Sequence, residues 1–365
     1  MKNERIIVAV NSIVVASSSS GKGLFYSEDN GKTWCQSNII YGNFSSLTTI
    51  GNTVIAGGYS YNGLFYSEDC GKTWNQSNIT TGDFVCLITI GSTVIAGSLS
   101  NKGLLYSEDK GKTWKQSNIN SGDFKCLIVV DNTVIAGSWS DKGIYYSEDN
   151  GHTWKESNII SDFFYSLTSI DSTIIACSDS INSLLYSEDN GKTWNQSNIT
   201  SSDFYGLTVI DGVVIAGCNS NKGLLYSENN GKTWIQSNIT SGDFYGLTVI
   251  DGVVIAGSDS DNGLYYSEDC GKTWKESNIA SGYFECLTVI DNIVIAGSYY
   301  DKGLLYSEDK GKNWKKSNIC HGSFLQLPIV NSIIIVTDCF DDDMYYSEDK
   351  GKTWLKSKFI EYRKQ

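Results

Sequence analysis

Between Ser241 and Ala280 the apolar and polar positions fall in short blocks and not at a helical spacing. Phe244 to Ile250 is an apolar, Thr-rich run, and Asp251-Gly252 follows as a two-residue turn. Val253 to Gly257 is a second apolar run, Ser258 to Asn262 is polar, and Gly263 to Ser267 is a third run. A turn-like octet comes next, and Thr273 to Asn278 closes the segment as a fourth run. Short β-rich runs separated by turn residues predict a four-stranded meander. The runs are continuous instead of alternating, as in a sheet covered on both faces. No segment shows a 3.6-residue period, which excludes helical solenoids.

The segment recurs every forty residues without insertion or deletion. Its fixed mark is the octet Ser27-Glu28-Asp29-Asn30-Gly31-Lys32-Thr33-Trp34, which returns at Ser67, Ser107, Ser147, Ser187, Ser227, Ser267, Ser307 and Ser347. A strict period of this length marks a repeat architecture. One meander is marginal by itself, whereas sheets stacked radially bury both faces and leave short edges. The expected fold is therefore all-β: a nine-bladed β-propeller of four-stranded antiparallel blades, one 40-residue repeat per blade. The blades would be residues 1–40, 41–80, 81–120, 121–160, 161–200, 201–240, 241–280, 281–320 and 321–360, with a tail at 361–365, in one propeller domain. A parallel β-helix is the weaker alternative, because its coils lack hairpin turns.

The octet makes chemical sense as the turn between third and fourth strands. Gly31 supplies a positive φ, Asp29 and Ser27 offer short acceptors to turn amides, and Thr33 adds a hydroxyl. Trp34 leaves the turn as a large body to be buried, with one N–H to satisfy. The octet resembles the Asp-box (BNR) motif S-x-D-x-G-x-T-W of sialidases, sortilin-like receptors and photosystem assembly factors, and the resemblance covers all nine repeats. It implies structural aspartates at Asp29, Asp69, Asp109, Asp149, Asp189, Asp269, Asp309 and Asp349. Asn229 replaces the aspartate in one copy and Asn313 the threonine in another, each expected to accept a turn hydrogen bond.

The junction between repeats nine and one is expected to rest on packing alone. Repeat one has Glu4 where every other repeat has a phenylalanine (Phe44, Phe84 and onward), and Tyr362 is the expected filler of that gap. Both arginines, Arg5 and Arg363, fall at the same junction.

Charge narrows the partners. A formal net charge of −13 argues against nucleic acid as a ligand. Resemblance to sialidases would imply three arginines on a substrate carboxylate, and the chain has two, which disfavours that activity. The ten cysteines show no C-x-x-C and read as buried free thiols, favouring a reducing, cytoplasmic setting over a secreted one. Ile6 to Val10 imitates a signal peptide but aligns with the first strand of the repeat. No run reaches membrane-span length, no cofactor or metal site is expected, and a monomer is expected.

Candidate chemistry lies where the repeats differ while the frame stays constant. One variable phase opens the innermost strand: Ser45, Val85, Lys125, Tyr165, Tyr205, Tyr245, Glu285 and Leu325. The other is the second-to-third connection, with Tyr59, Tyr61, Trp139, Asp179, Asp259, Tyr299, Tyr300, Phe340 and Asp341 to Asp343. In the Asp-box families ligands usually sit on this face, opposite the octets. Aromatic rings beside carboxylates suit a glycan or a peptide; the plain alternative is tolerant surface in duplicated blades. The best candidates are Tyr165, Tyr205, Tyr245, Lys125, Glu285, Tyr59, Trp139 and Tyr299. Lys32 and its counterparts, with His152 in the fourth copy, read as solvated turn residues. The expected function is a non-enzymatic binding or scaffolding module. The alternative is a glycoside hydrolase using paired carboxylates such as Asp179, Asp259 or Glu285.

Overall fold

The computed structural model describes residues 6–360 except 19, 61, 179–183, 200–203, 219–221, 260–261, 301 and 340–342. The protein is a nine-bladed β-propeller whose blades are four-stranded antiparallel sheets, with no helix among the described residues. The backbone groups into two compact units, one of Met1–Ser180, Ser187–Asn195 and Lys358–Gln365, the other of Ile181–Tyr186 and Gln196–Ser357.

Blade seven, in the second unit, shows how the repeat is built. Its strands are Phe244–Ile250, Val253–Ser258, Leu264–Ser267 and Lys275–Glu276, each antiparallel to the next. The fourth strand is shorter than the expected Thr273 to Asn278. Thr273 is tied into the octet turn, and the Trp274 backbone is engaged by the preceding blade, so only two residues are left for the ladder.

The apolar core lies between blades and not within them, which explains the continuous apolar runs. Ile210, Ile215 and Leu224 of blade six meet Phe244, Val254, Ala256, Tyr265 and Trp274 of blade seven. The first unit repeats the arrangement with Ile90, Ile95 and Leu104 against Phe124, Val134, Ala136 and Trp154. Blades approach closely where the side chain is small. A Cβ on Gly257 would lie 2.2 Å from the Phe284 carbonyl oxygen. Gly257→Ala should therefore destabilise by about 1–3 kcal/mol in chemical denaturation, the usual effect of overpacking. Gly252→Asn, in the turn between first and second strands, meets no atom within 4 Å of a Cβ, and its cost should come from the backbone φ of +80° alone, about 1 kcal/mol or less.

Small residues at the start of the inner strand serve the same close approach. Cys86, Cys126 and Cys286 share the phase of Gly206 and Gly246, which explains their common spacing. The Cys86 thiol donates to the Phe124 carbonyl of the next blade at 3.3 Å. Burial pushes the Cys126 thiol up to about 12 and raises that of Cys86 as well, so both stay protonated. None of the ten cysteines is in a disulfide, but the expected burial holds only for some: Cys126, Cys177, Cys218 and Cys286 are buried, while Cys320 is exposed.

Each blade is also clamped to the next by an asparagine that the repeat places after the fourth strand. Asn238 Nδ2 donates to the Trp274 carbonyl at 2.9 Å, and the Trp274 N–H donates to Asn238 Oδ1 at 2.7 Å. The pattern runs from Asn38 and Trp74 at one end to Asn318 and Trp354 at the other. A side-chain amide carries the same donor and acceptor as a peptide unit, so it imitates one rung of a β-ladder.

At the corresponding place after blade nine the residue is Lys358, which has no acceptor. Here the backbone itself forms the ladder. Lys358–Ile360 pairs in parallel with Thr33–Gln36, with Lys358 opposite Thr33, Phe359 opposite Trp34 and Ile360 opposite Cys35. The first blade is thereby a five-stranded sheet. This corrects the expectation of packing alone. The aromatic neighbour of Phe25 is Phe359, edge-on with ring centres 5.5 Å apart. Glu4, Arg5, Tyr362 and Arg363 lie outside the described residues.

Candidate functional site at the variable loop end

The two ends of each sheet differ in chemistry. At one end the octet hairpins lie beside the first-to-second turns, as where Lys310 donates to the Asp251 carbonyl at 3.1 Å. At the other the second-to-third connection is bonded to the fourth-to-first connection, as in Gly103 N–H to the Gly122 carbonyl at 3.0 Å.

The octet end is occupied by its own structure. In blade seven Thr273 donates to Asp269 through both N–H (2.8 Å) and hydroxyl (2.6 Å), Ser267 Oγ donates to Asp269, and Gly271 N–H donates to Ser267 Oγ. Trp274 Nε1 donates to the Gly271 carbonyl at 2.9 Å. Asp29, Asp69, Asp109, Asp149, Asp189, Asp309 and Asp349 sit in equivalent turns. Asn229 accepts from the Thr233 N–H as expected, whereas Asn313 donates through Nδ2 to Asp309 instead of accepting. Burial works to raise these aspartates, but the hydrogen bonds from threonine and serine win and hold them below the ordinary carboxylate value.

The lysines are not simply solvated turn residues. Lys112 reaches Glu68 of the preceding blade at 2.7 Å, Lys192 reaches Glu148 and Lys312 reaches Glu268 at 2.6 Å, and His152 takes the same part with Glu108 at 3.0 Å. Both partners remain substantially exposed, so solvent screens each pair and it contributes little to stability. This end has its carboxylates and ammonium groups matched to one another.

At the variable end the structure explains why one residue per repeat is free to differ. In blade seven Phe244 pairs with Ser258 and Gly246 with Gly257, which leaves Tyr245 as the extra residue of a β-bulge. Lys125 and Tyr165 occupy the same bulge in blades four and five, as do Ser45, Val85 and Tyr205 in theirs. The extra residue of a bulge falls outside the regular ladder register, and bulges re-aim side chains at sites. Tyr165 and Tyr245 are half-buried, and the Tyr205 side chain is outside the description. Glu285 lies half-buried just before the inner strand Cys286–Ile290 of blade eight.

Two aromatic clusters form here. In the first unit Lys125 Nζ stands 4.4 Å from the ring centre of Trp139, and Trp139 meets Phe163 edge-on at 6.4 Å. Ile160, three residues before Phe163, is 70% exposed. In the second unit Tyr299 and Tyr283 both pack against Tyr300, with ring centres 4.4 and 5.2 Å away, and Tyr300 is 53% exposed. The candidates Lys125 and Trp139 are thus brought together, and Tyr299 joins a cluster. Tyr59 stands apart, its carbonyl accepting from Asn62 at 2.7 Å. Asp259 bonds through its N–H to the Asp243 carbonyl. Asp343 accepts from Lys356 at 2.5 Å. Tyr61, Asp179, Phe340, Asp341 and Asp342 are outside the described residues.

Sequence comparison alone passed over Phe163 and Tyr283. They share one repeat phase, which holds aspartate at Asp83, Asp123 and Asp243, and this change of type was the available signal. Beside Phe163, the buried Asp162 sits at φ +143° where Gly82, Gly122 and Gly242 stand in other repeats. Strained non-glycine backbone of this kind concentrates at functional sites. Among the described residues no group of three or more His, Cys, Asp or Glu side chains is placed to hold a metal ion.

No protein-family model matches the chain, and no curated protein matches its sequence. Among solved structures it is similar to the computationally designed Ika8 protein, with TM-score 0.64 and 11% identity over 87% of this chain and 99% of that one. A xyloglucanase of the GH74 group from Xanthomonas campestris aligns with TM-score 0.47 and 10% identity, covering 97% of this chain and 81% of its own. YCF48 bound to D1 peptide aligns with TM-score 0.46 and 18% identity, covering 73% and 91%. The first of these agrees with the propeller architecture, and none of them assigns an activity.

Proposed function

We propose that this chain is a non-enzymatic, Asp-box-type binding propeller that holds a glycan or a protein segment at its variable loop end. The observation that carries the reading is the bulge. Successive blades keep one frame and exchange the one bulged residue on it, and in blade four that residue is Lys125, stacked over Trp139. Aromatic faces bury apolar area while leaving polar tips for hydrogen bonds, which fits sugar rings and extended peptides alike. The octet end supports the same division of labour, since its charges already satisfy one another.

Trp139→Ala should weaken binding of a ligand found on a glycan array or a peptide library by about tenfold or more, the loss expected for a central aromatic contact. The melting temperature should stay unchanged. Equal binding by the variant would refute this placement. Turnover of a chromogenic glycoside that is abolished by Glu285→Gln would establish the hydrolase reading instead.

A further inference from the structure

Blade four gathers positive charge at its variable end, in a chain whose formal net charge is −13. We infer that this patch takes an acidic oligosaccharide, with a sugar ring on the aromatic pair Trp139 and Phe163 and a carboxylate or sulfate on Lys125, flanked by Lys102 and Lys142. The inference rests on the binding reading above and names its ligand class.

The lysines are placed by the repeat. Blades three and four are the only consecutive pair with lysine at that phase of the second-to-third connection, Lys102 and Lys142; Asn62 and Asn182 stand on either side. Lys125 is the only lysine at the bulge phase. Hydrogen bonds then hold the three near one turn. Lys142 Nζ donates to Ser121 Oγ at 2.8 Å, and the Trp139 N–H donates to the Asp123 carbonyl at 2.7 Å. The connection that carries Lys102 is tied to the same turn. Asn101 N–H donates to Asp123 Oδ1 at 2.7 Å, and Gly122 N–H donates to Asn101 Oδ1 at 2.5 Å.

The charges are not matched internally, in contrast to the lysines at the octet end. Among the described residues none of the three is ion-paired to a carboxylate: Lys102 meets Thr81, Lys142 meets Ser121 and Lys125 lies over Trp139. Asp123 is engaged by Asn101, and Asp141, although exposed, forms no ion pair with them. Lys125 therefore keeps its ammonium hydrogens for an anion while its stem lies along the ring. An ammonium is a compact point charge, so carboxylate and sulfate suit it alike.

An acidic peptide is the rival ligand. An extended peptide gains most of its affinity from an open backbone edge. Here the backbone is already bonded, Gly103 N–H to the Gly122 carbonyl and Ser138 N–H to the Gly143 carbonyl, both at 3.0 Å. A sugar ring needs no ladder. It needs an apolar face and a charge, and Phe163, 40% exposed against Trp139, supplies the first beside Lys125.

The test is calorimetric titration of the full chain with an oligogalacturonate, its carboxyl-reduced neutral counterpart, a heparin oligosaccharide and a glutamate-rich peptide. At least one acidic oligosaccharide should bind about tenfold or more tightly than the neutral one, and the two acidic arms show whether carboxylate or sulfate is preferred. Lys125→Met should erase that preference, Trp139→Ala should weaken acidic and neutral sugars alike, and Lys192→Met at the octet end should change neither. Equal affinity for acidic and neutral sugars, or tighter binding of the peptide, overturns the inference and leaves a binding propeller standing. Binding of none of the four also overturns it. The binding reading itself falls only if the glycan array and the peptide library yield no ligand that depends on Trp139.

Discussion

Asn278→Leu should lower the stability of the protein by about 2–4 kcal/mol in equilibrium denaturation, because it strips partners from two part-buried backbone groups at once. The Trp314 N–H loses its acceptor at 2.7 Å and the Trp314 carbonyl its donor at 3.0 Å. Leucine has the right size but neither group. Asn278→Asp should not restore the loss, since its second oxygen would face the Trp314 carbonyl. The control is Lys312→Met at the same junction between blades seven and eight. It removes the ion pair with Glu268, and its effect should be far smaller than that of Asn278→Leu, because solvent screens an exposed pair. Equal effects for the two substitutions would show that the blades are not held together by the amide clamp.

Acid should unfold the protein over a narrow range below about pH 4, the ordinary titration range of carboxylates in an unfolded chain. The folded octet aspartates are held below that value by their hydrogen bonds, so the folded state binds fewer protons than the unfolded one. Their contribution is therefore fully present above the unfolded value and is lost as pH falls through the folded values. Glu148, Glu268 and Glu308, lowered to about 2 by their lysines, shift in the same direction. His152 has the opposite sign. It is raised by the Asp149 carbonyl and by Glu108, and its small contribution is present below about pH 6.5 and fades as pH rises. The natural Asn229 turn shows how to test the aspartate term. Asp269→Asn should keep the turn, since Asn229 still accepts from Thr233, while reducing the proton uptake that accompanies acid unfolding. A melting temperature that is flat from neutral pH down to about pH 3 would contradict this account.

The architecture was legible because the period and the octet are local signals. Gly271 must adopt a positive φ, Asp269 must find amides, and Trp274 must be buried, and each demand is written in its residue type. The clamp was not legible for the opposite reason. Asn278 looks like the frayed end of a strand, and only the neighbouring blade shows that its amide stands in for a peptide. The bulge was half legible: variability drew attention to Lys125, Tyr165 and Tyr245, but only the register shift between Phe244 and Gly246 says why that position varies. The Lys358 ladder was missed because only Lys358 and Phe359 depart from the Asn-Ile of the other repeats there, and neither carries a hint that its backbone forms a strand.

The bulge has a consequence for how such a protein can change. The residue lies outside the ladder register, so mutation there leaves the pairing of first and second strands as it was. Near-identical copies can then drift apart one surface letter at a time, and unequal recombination can reorder them without refolding penalties. Selection for a new ligand would act on a short string of independent positions, and variants made by shuffling whole repeats should stay folded while their binding preferences diverge.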